Sequence, residues 1–101
     1  MDNDADLDSL RRLEFGRRVR AARQAARLSQ EDFALSASVD RTYVSGIERG
    51  RRNPTLSVIL ILSTALGVEP GFLLDGLADP GPSHAEVAAP KDARGTKEQI
   101  R

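Results

Sequence analysis

The chain has 101 residues, 40% of them hydrophobic and only 4% aromatic, with no tryptophan and no cysteine. That suffices for one compact domain with a core of Leu, Ile, Val and Ala, and it excludes disulfides and cysteine-ligated metal. The formal net charge is zero, but it averages an acidic start, a basic middle and a mildly acidic end.

Residues 1–8 carry Asp2, Asp4, Asp6 and Asp8 and no base, and they read as a disordered acidic arm. Helical composition follows over 9–26, broken only by Gly16, with Phe15, Val19, Ala22 and Ala26 as the inward stripe. Ser29 is an N-cap for a short helix over 30–36, with Glu31 and Asp32 in its first turn to suit the helix dipole and Phe33 and Ala34 inward. Ser38-Val39-Asp40 is a turn, Asp40 caps a helix over 41–49, and Gly50 stops it. Arg51-Arg52-Asn53-Pro54 is a loop. Thr55 caps a helix over 56–66 that ends at Gly67, and Pro70 opens a last one over 70–74, closed by Gly76. Beyond Leu77 the prolines, glycines and scarcity of large apolar residues predict a disordered tail over 78–101. No alternating run suggests a strand, so the fold class is all-α, with five helices in a domain over residues 9–77.

The longest apolar run, residues 58–62, is far short of the roughly 20 residues of a membrane span, and the acidic start has the wrong sign for a secretory signal. A cytoplasmic protein with no membrane partner is expected. All eleven bases between residues 10 and 52 are arginine. Arginine presents a planar fork suited to phosphates and guanine edges, so by charge alone this segment fits a nucleic-acid partner and a solvated helix face equally well.

Two short helices joined by a tight turn form a helix-turn-helix pattern, in which the second helix enters the DNA major groove. Helix geometry puts Arg41, Thr42 and Ser45 on one face of that second helix, with Val44 and Ile47 on the opposite, core-facing side. Arg41 is placed to reach a guanine as a bidentate donor, and Thr42 a thymine methyl or a phosphate. Tyr43 sits at the rim with its hydroxyl available to a phosphate. Gly46, lacking a side chain, would let the backbone approach DNA closely.

Four stretches stand in the order and spacing of a known family: Gly16-Arg17-Arg18-Val19-Arg20, Leu28-Ser29-Gln30-Glu31-Asp32-Phe33-Ala34, Ser45-Gly46-Ile47-Glu48-Arg49-Gly50-Arg51-Arg52-Asn53-Pro54-Thr55-Leu56, and Ala65-Leu66-Gly67-Val68. Over about residues 10–77 the chain resembles the phage-repressor/Cro, or XRE, type of helix-turn-helix regulator. Val39 to Arg49 looks most like the controller proteins of restriction–modification systems, small dimeric regulators that time expression of a nuclease. The resemblance implies a five-helix, lambda-repressor-like domain that binds double-stranded DNA as a homodimer on a roughly palindromic operator and acts in transcription as a repressor or controller. It implies that Gln30 contacts the backbone and sometimes a base. Ser29 would combine capping with a phosphate contact, and Arg49, Arg51, Arg52 and Asn53 would form a phosphate-binding loop. Arg23 and Glu48 match a partly buried structural ion pair, and neither is expected to touch DNA. Arg18 and Arg20 fit a solvated helix face as readily as a DNA contact.

The fourth helix has more apolar residues than one core face can use. Leu56, Ile59, Leu60 and Leu66 are expected in the core. Val58, Ile61 and Leu62 form a second stripe, expected with Phe72 and Leu73 at a dimer interface, since an apolar surplus on a small domain marks a contact. No catalytic residues, metal site, cofactor or small-molecule effector are expected: the single histidine, His84, lies in the tail, and no phosphate loop or nucleophile motif is present. The rival reading is an antitoxin-like or adaptor interaction module, which would need a partner-shaped apolar motif in the tail.

Overall fold

The computed structural model describes residues 2–80. They form five helices, α1 (Asp2–Ala25), α2 (Gln30–Ala37), α3 (Arg41–Glu48), α4 (Leu56–Leu66) and α5 (Pro70–Leu74), with no strand among the described residues. Met1 and residues 81–101, including His84 and nearly all of the expected tail, lie outside that range.

The expected disordered arm is corrected by the structure. α1 is continuous from Asp2, so the acidic segment forms its first turns. Aspartates are poor helix formers in a helix interior but favourable at the positive N-terminal end. Tertiary contacts add to this. Arg11 pairs with Asp8 at 3.0 Å, and its Nε and Nη2 donate to the Ala78 carbonyl at 3.2 and 3.0 Å. The third turn of α1 is thereby tied to the chain that leaves α5.

The other boundaries follow their punctuation within a residue. Ser29 Oγ accepts from the Asp32 N–H at 2.9 Å, and Thr55 Oγ1 accepts from the Val58 N–H at 3.2 Å. Gly67 ends α4 in the left-handed region at φ 72°, where a side chain would be strained. Asp40 holds the N-cap position of α3 by backbone geometry, but its side chain makes no capping bond. Between α2 and α3 the left-handed residue is Ser38, at φ 59°, a conformation that glycine adopts more easily.

The core joins Phe15, Val19 and Ala22 of α1 to Phe33, Ala34 and Ala37 of α2, Val44 and Ile47 of α3, Leu62 and Leu66 of α4, and Leu73 of α5. Ala26 is exposed, so the α1 stripe ends at Ala22. The expected phase of α4 is also corrected. Leu62 is fully buried, whereas Leu56 is 67% and Leu60 44% exposed, and Ile59 is half-buried. Six apolar residues in the seven from 56 to 62 leave little periodicity from which to read a face. Packing sets it instead: Leu62 and Leu66, four apart, point inward together with Ser63, whose hydroxyl donates to the Leu60 carbonyl at 2.9 Å. Leu73, expected at an interface, is likewise core.

Gly16 is what permits α1 to cross the end of α3. A Cβ there would run into the carbonyl oxygens of Ile47 and Glu48, 2.8 Å from the latter. Neither oxygen can retreat without moving the α3 backbone. Gly16→Ala is therefore expected to destabilise the domain by about 1–3 kcal/mol, the usual cost of overpacking. Thermal unfolding followed by circular dichroism checks this, and an unchanged midpoint would show that the crossing has slack.

Candidate nucleic-acid interface

α2 and α3 pack through Phe33, Ala34, Ala37, Val44 and Ile47, and the three-residue turn between them fixes the angle at which α3 emerges. With Val44, Ile47 and Glu48 turned inward, Arg41 and Thr42 are exposed on the outer side, and Ser45 and Tyr43 are half-buried at its edges. Arg41 also borders a shallow polar groove with Ser29, Gln30, Glu31 and Arg23, so the starts of α2 and α3 open on the same surface. Glu31 adds a carboxylate to that groove.

Gly46 differs from expectation. It is buried, and a Cβ on it would meet the side chain of Arg52. Position 46 is thus covered rather than open to close approach. The loop after α3 doubles back along the helix to achieve this. The Arg51 N–H donates to the Gly46 carbonyl at 2.8 Å, Gly50 adopts φ 76° against Leu13, and Arg49 Nε reaches the Ser45 carbonyl at 3.4 Å. Arg49, Arg51, Arg52 and Asn53 are all exposed. Arg52 Cζ stands 5.3 Å from the Tyr43 ring centroid, a cation–π separation.

Beneath this surface lies a polar node. Glu48 Oε2 accepts from Arg23 Nε at 2.6 Å, and Glu48 Oε1 accepts from Arg23 Nη2 and from Gln30 Nε2, both at 3.0 Å. The remaining Arg23 Nη1 donates to the Leu28 carbonyl at 2.8 Å. The two side chains are only 11% and 4% exposed. Hydrogen bonding to Glu48 raises the Arg23 guanidinium above its ordinary value, and the Coulombic attraction adds to that, against the lowering effect of burial. Gln30, expected to read DNA, therefore has its amide nitrogen engaged with Glu48. Its position beside Ser29 is fixed from behind.

Residues 19–73 match the helix-turn-helix family. The chain belongs to this family. Control protein C.BamHI of Bacillus amyloliquefaciens is 49% identical over 65 residues, which are 63% of this chain and 80% of that protein. The crystal structure of the restriction-modification controller protein C.AhdI from Aeromonas hydrophila superposes with a TM-score of 0.60 at 49% identity, covering 68% of this chain and 97% of that one. A hypothetical transcription factor from Neisseria, NHTF, gives a TM-score of 0.60 at 41% identity over 62% of this chain and 72% of its own. This helix-turn-helix protein is a DNA-binding transcriptional regulator of the XRE type.

The five residues expected at a dimer interface do not form one patch in this helix-turn-helix domain. Leu62 and Leu73 are core. Val58 is half-buried and Ile61 exposed on α4, where Ile61 shares a shallow surface with Ser36, Leu60, Thr64 and Ala65. Phe72 is exposed elsewhere, over Ala21, Ala25 and Val68 at the junction of α1 and α5. Arg18, left between two roles by the sequence, has a structural one. It pairs with Glu14 at 2.9 Å and donates to the Leu73 carbonyl at 3.2 Å, helping to hold the end of α5. Arg20 is exposed. Among the described residues there is no cluster of potential metal ligands and no helix long and apolar enough to cross a membrane.

Removing either partner of the buried pair strands the other charge. Arg23→Met and Glu48→Leu are each expected to cost about 3–5 kcal/mol, while the double replacement should be more stable than either single loss. Urea unfolding of the members of this cycle reads the coupling directly. Strict additivity would mean that the pair contributes nothing beyond its separate residues.

Proposed function

We propose that the chain is a homodimeric controller of a restriction–modification system, acting in the cytoplasm on a roughly palindromic operator. The observation that carries this is the outward face of α3, where Arg41 and Thr42 stand exposed beside the capped start of α2. The likeness to C.BamHI and C.AhdI, named as control or controller proteins, supports the biological setting. In a helix-turn-helix dimer each second helix enters the major groove of one half-site, with half-sites about one helical turn apart.

Within each half-site Arg41 donates its fork to a guanine, and Thr42 and Ser45 meet the neighbouring bases. Gln30, steadied by Glu48, faces the backbone and the edge of the site. Ser29, Tyr43, Arg49, Arg51 and Asn53 hold phosphates, which position the protein without reading sequence. Dimerisation runs through the exposed part of α4, with Ile61 at its centre and Val58 beside it.

Arg41→Ala is expected to weaken operator binding by about 1–3 kcal/mol and to relax preference at one base pair per half-site. Binding titrations against a panel of single-base operator variants test this. An equal loss on every sequence would make Arg41 a phosphate contact. Ile61→Glu is expected to give a folded monomer with weak operator affinity, seen by sedimentation velocity beside a wild-type dimer at micromolar concentration. A wild type that stays monomeric with and without DNA would remove the dimer from this reading.

A further inference from the structure

By sequence Arg52 belongs with Arg49, Arg51 and Asn53 in a charged loop, but its side chain occupies a place of its own. At about 100° per residue, the inward direction of Val44, Ile47 and Glu48 leaves Thr42 and Gly46 pointing farthest from the core. These two positions are i and i+4, adjacent along the helix surface. Gly46 is nevertheless buried, and Arg52 is what meets it. A Cβ at position 46 would lie 2.9 Å from Arg52 Cγ, 3.1 Å from its Nε and 3.5 Å from its Cδ. Beyond this seat the guanidinium continues to the Tyr43 ring, with Cζ 5.3 Å from the centroid.

We propose that Arg52 acts as the side chain that α3 lacks at position 46, and reads a guanine edge next to the base pair met by Thr42. This rests on the DNA-binding reading above and makes Arg52 a specificity-determining residue. Three physical points support it. An arginine free in solvent carries about 2 kcal/mol of rotamer entropy, and one already laid along Gly46 loses less of it on binding. A cation above a ring does not consume its N–H donors, and Arg52 donates no side-chain hydrogen bond to any other described residue, so the fork remains available. The seat lies on the outermost line of α3, where groove edges rather than flanking phosphates are met. Gly46 and Tyr43 are then positioning residues: one leaves the space, the other orients the cation.

Selection of bound sites from random DNA, followed by titration at several salt concentrations, tests this with wild type, Arg52→Lys and Gly46→Ala. Lysine keeps the charge but not the planar fork. Arg52→Lys is expected to lose about 5- to 150-fold of discrimination at one guanine per half-site, while the dependence of binding on salt stays that of wild type. Gly46→Ala, with its fold checked by circular dichroism, should lose preference at the same base pair, because the added methyl evicts the arginine stem. An Arg52→Lys base profile identical to wild type overturns the proposal while leaving the DNA-binding reading intact, since a phosphate contact tolerates lysine. A wild type that enriches no sequence overturns that reading, and this inference with it.

Discussion

The carboxylate of Glu48 is the point at which three helices are held together. It is the last residue of α3, and it accepts from Arg23 on α1 and Gln30 at the start of α2. A carboxylate at a helix C-terminus sits against the negative end of the helix dipole, and one so buried also loses its water. Arg23 offsets both effects with a bidentate fork, and spends its third donor on the Leu28 carbonyl beyond the end of α1. A buried pair of this kind contributes little net stability compared with apolar substitutes of the same shape. Its value here is geometric. It fixes the end of α3 relative to α1 while the same carboxylate steadies Gln30, so the helix that meets DNA and the helix that flanks it share one anchor.

That anchor matters because the parts are weak alone. α2 and α3 have eight residues each, too short to be stable helices in water. Their persistence depends on contacts with α1 and on each other. Gly16 brings α1 close enough for Arg23 to reach Glu48, and Leu13 of the same helix packs on Gly50, where the chain turns back. One face of α1 thus sets both the axis of α3 and the path of the loop that returns over it. The covered position at Gly46 follows from that path, through the bond from the Arg51 N–H to the Gly46 carbonyl.

Much of this was legible where the chain punctuates itself. Ser29, Thr55, Gly67 and Pro70 marked helix ends to within a residue, because capping is local chemistry between near neighbours. The helix-turn-helix unit was visible for the same reason. What escaped was set by contacts distant in sequence. The phase of α4 could not be read, since a nearly unbroken apolar run offers two equivalent faces and only packing selects Leu62 over Leu60. Gly16 looked like a mere penalty against α1, because the carbonyls it admits lie some thirty residues away. The aspartates before Ser9 look like an arm by composition, yet they continue α1, where Asp8 pairs with Arg11 one turn on. The Arg23–Glu48 pair was expected only from resemblance. The seat of Arg52 left one local signal, a glycine on the outward face of α3, while the side chain that fills it comes from six residues on, in the returning loop.

The arginines show why charge alone is a poor guide to an interface. The eleven between residues 10 and 52 look alike in a count, yet the fold divides them by what their donors face. Arg11, Arg18 and Arg23 each pair with a carboxylate and donate to a backbone carbonyl, at Ala78, Leu73 and Leu28. They act as straps, each with a carboxylate against its guanidinium. Arg17 also meets Glu14, at 3.2 Å. The positive field available to a phosphate backbone therefore comes chiefly from Arg41, Arg49, Arg51 and Arg52, which cluster at the two ends of α3, with Arg20 and Arg27 exposed on and just beyond α1. A cation attracts DNA in proportion to the charge it leaves uncompensated, and it reads DNA only if its fork is held at a fixed place. Of this set Arg52 is the one whose stem the fold seats, against Gly46 and beside the Tyr43 ring, because the backbone that places α3 also returns the loop across it.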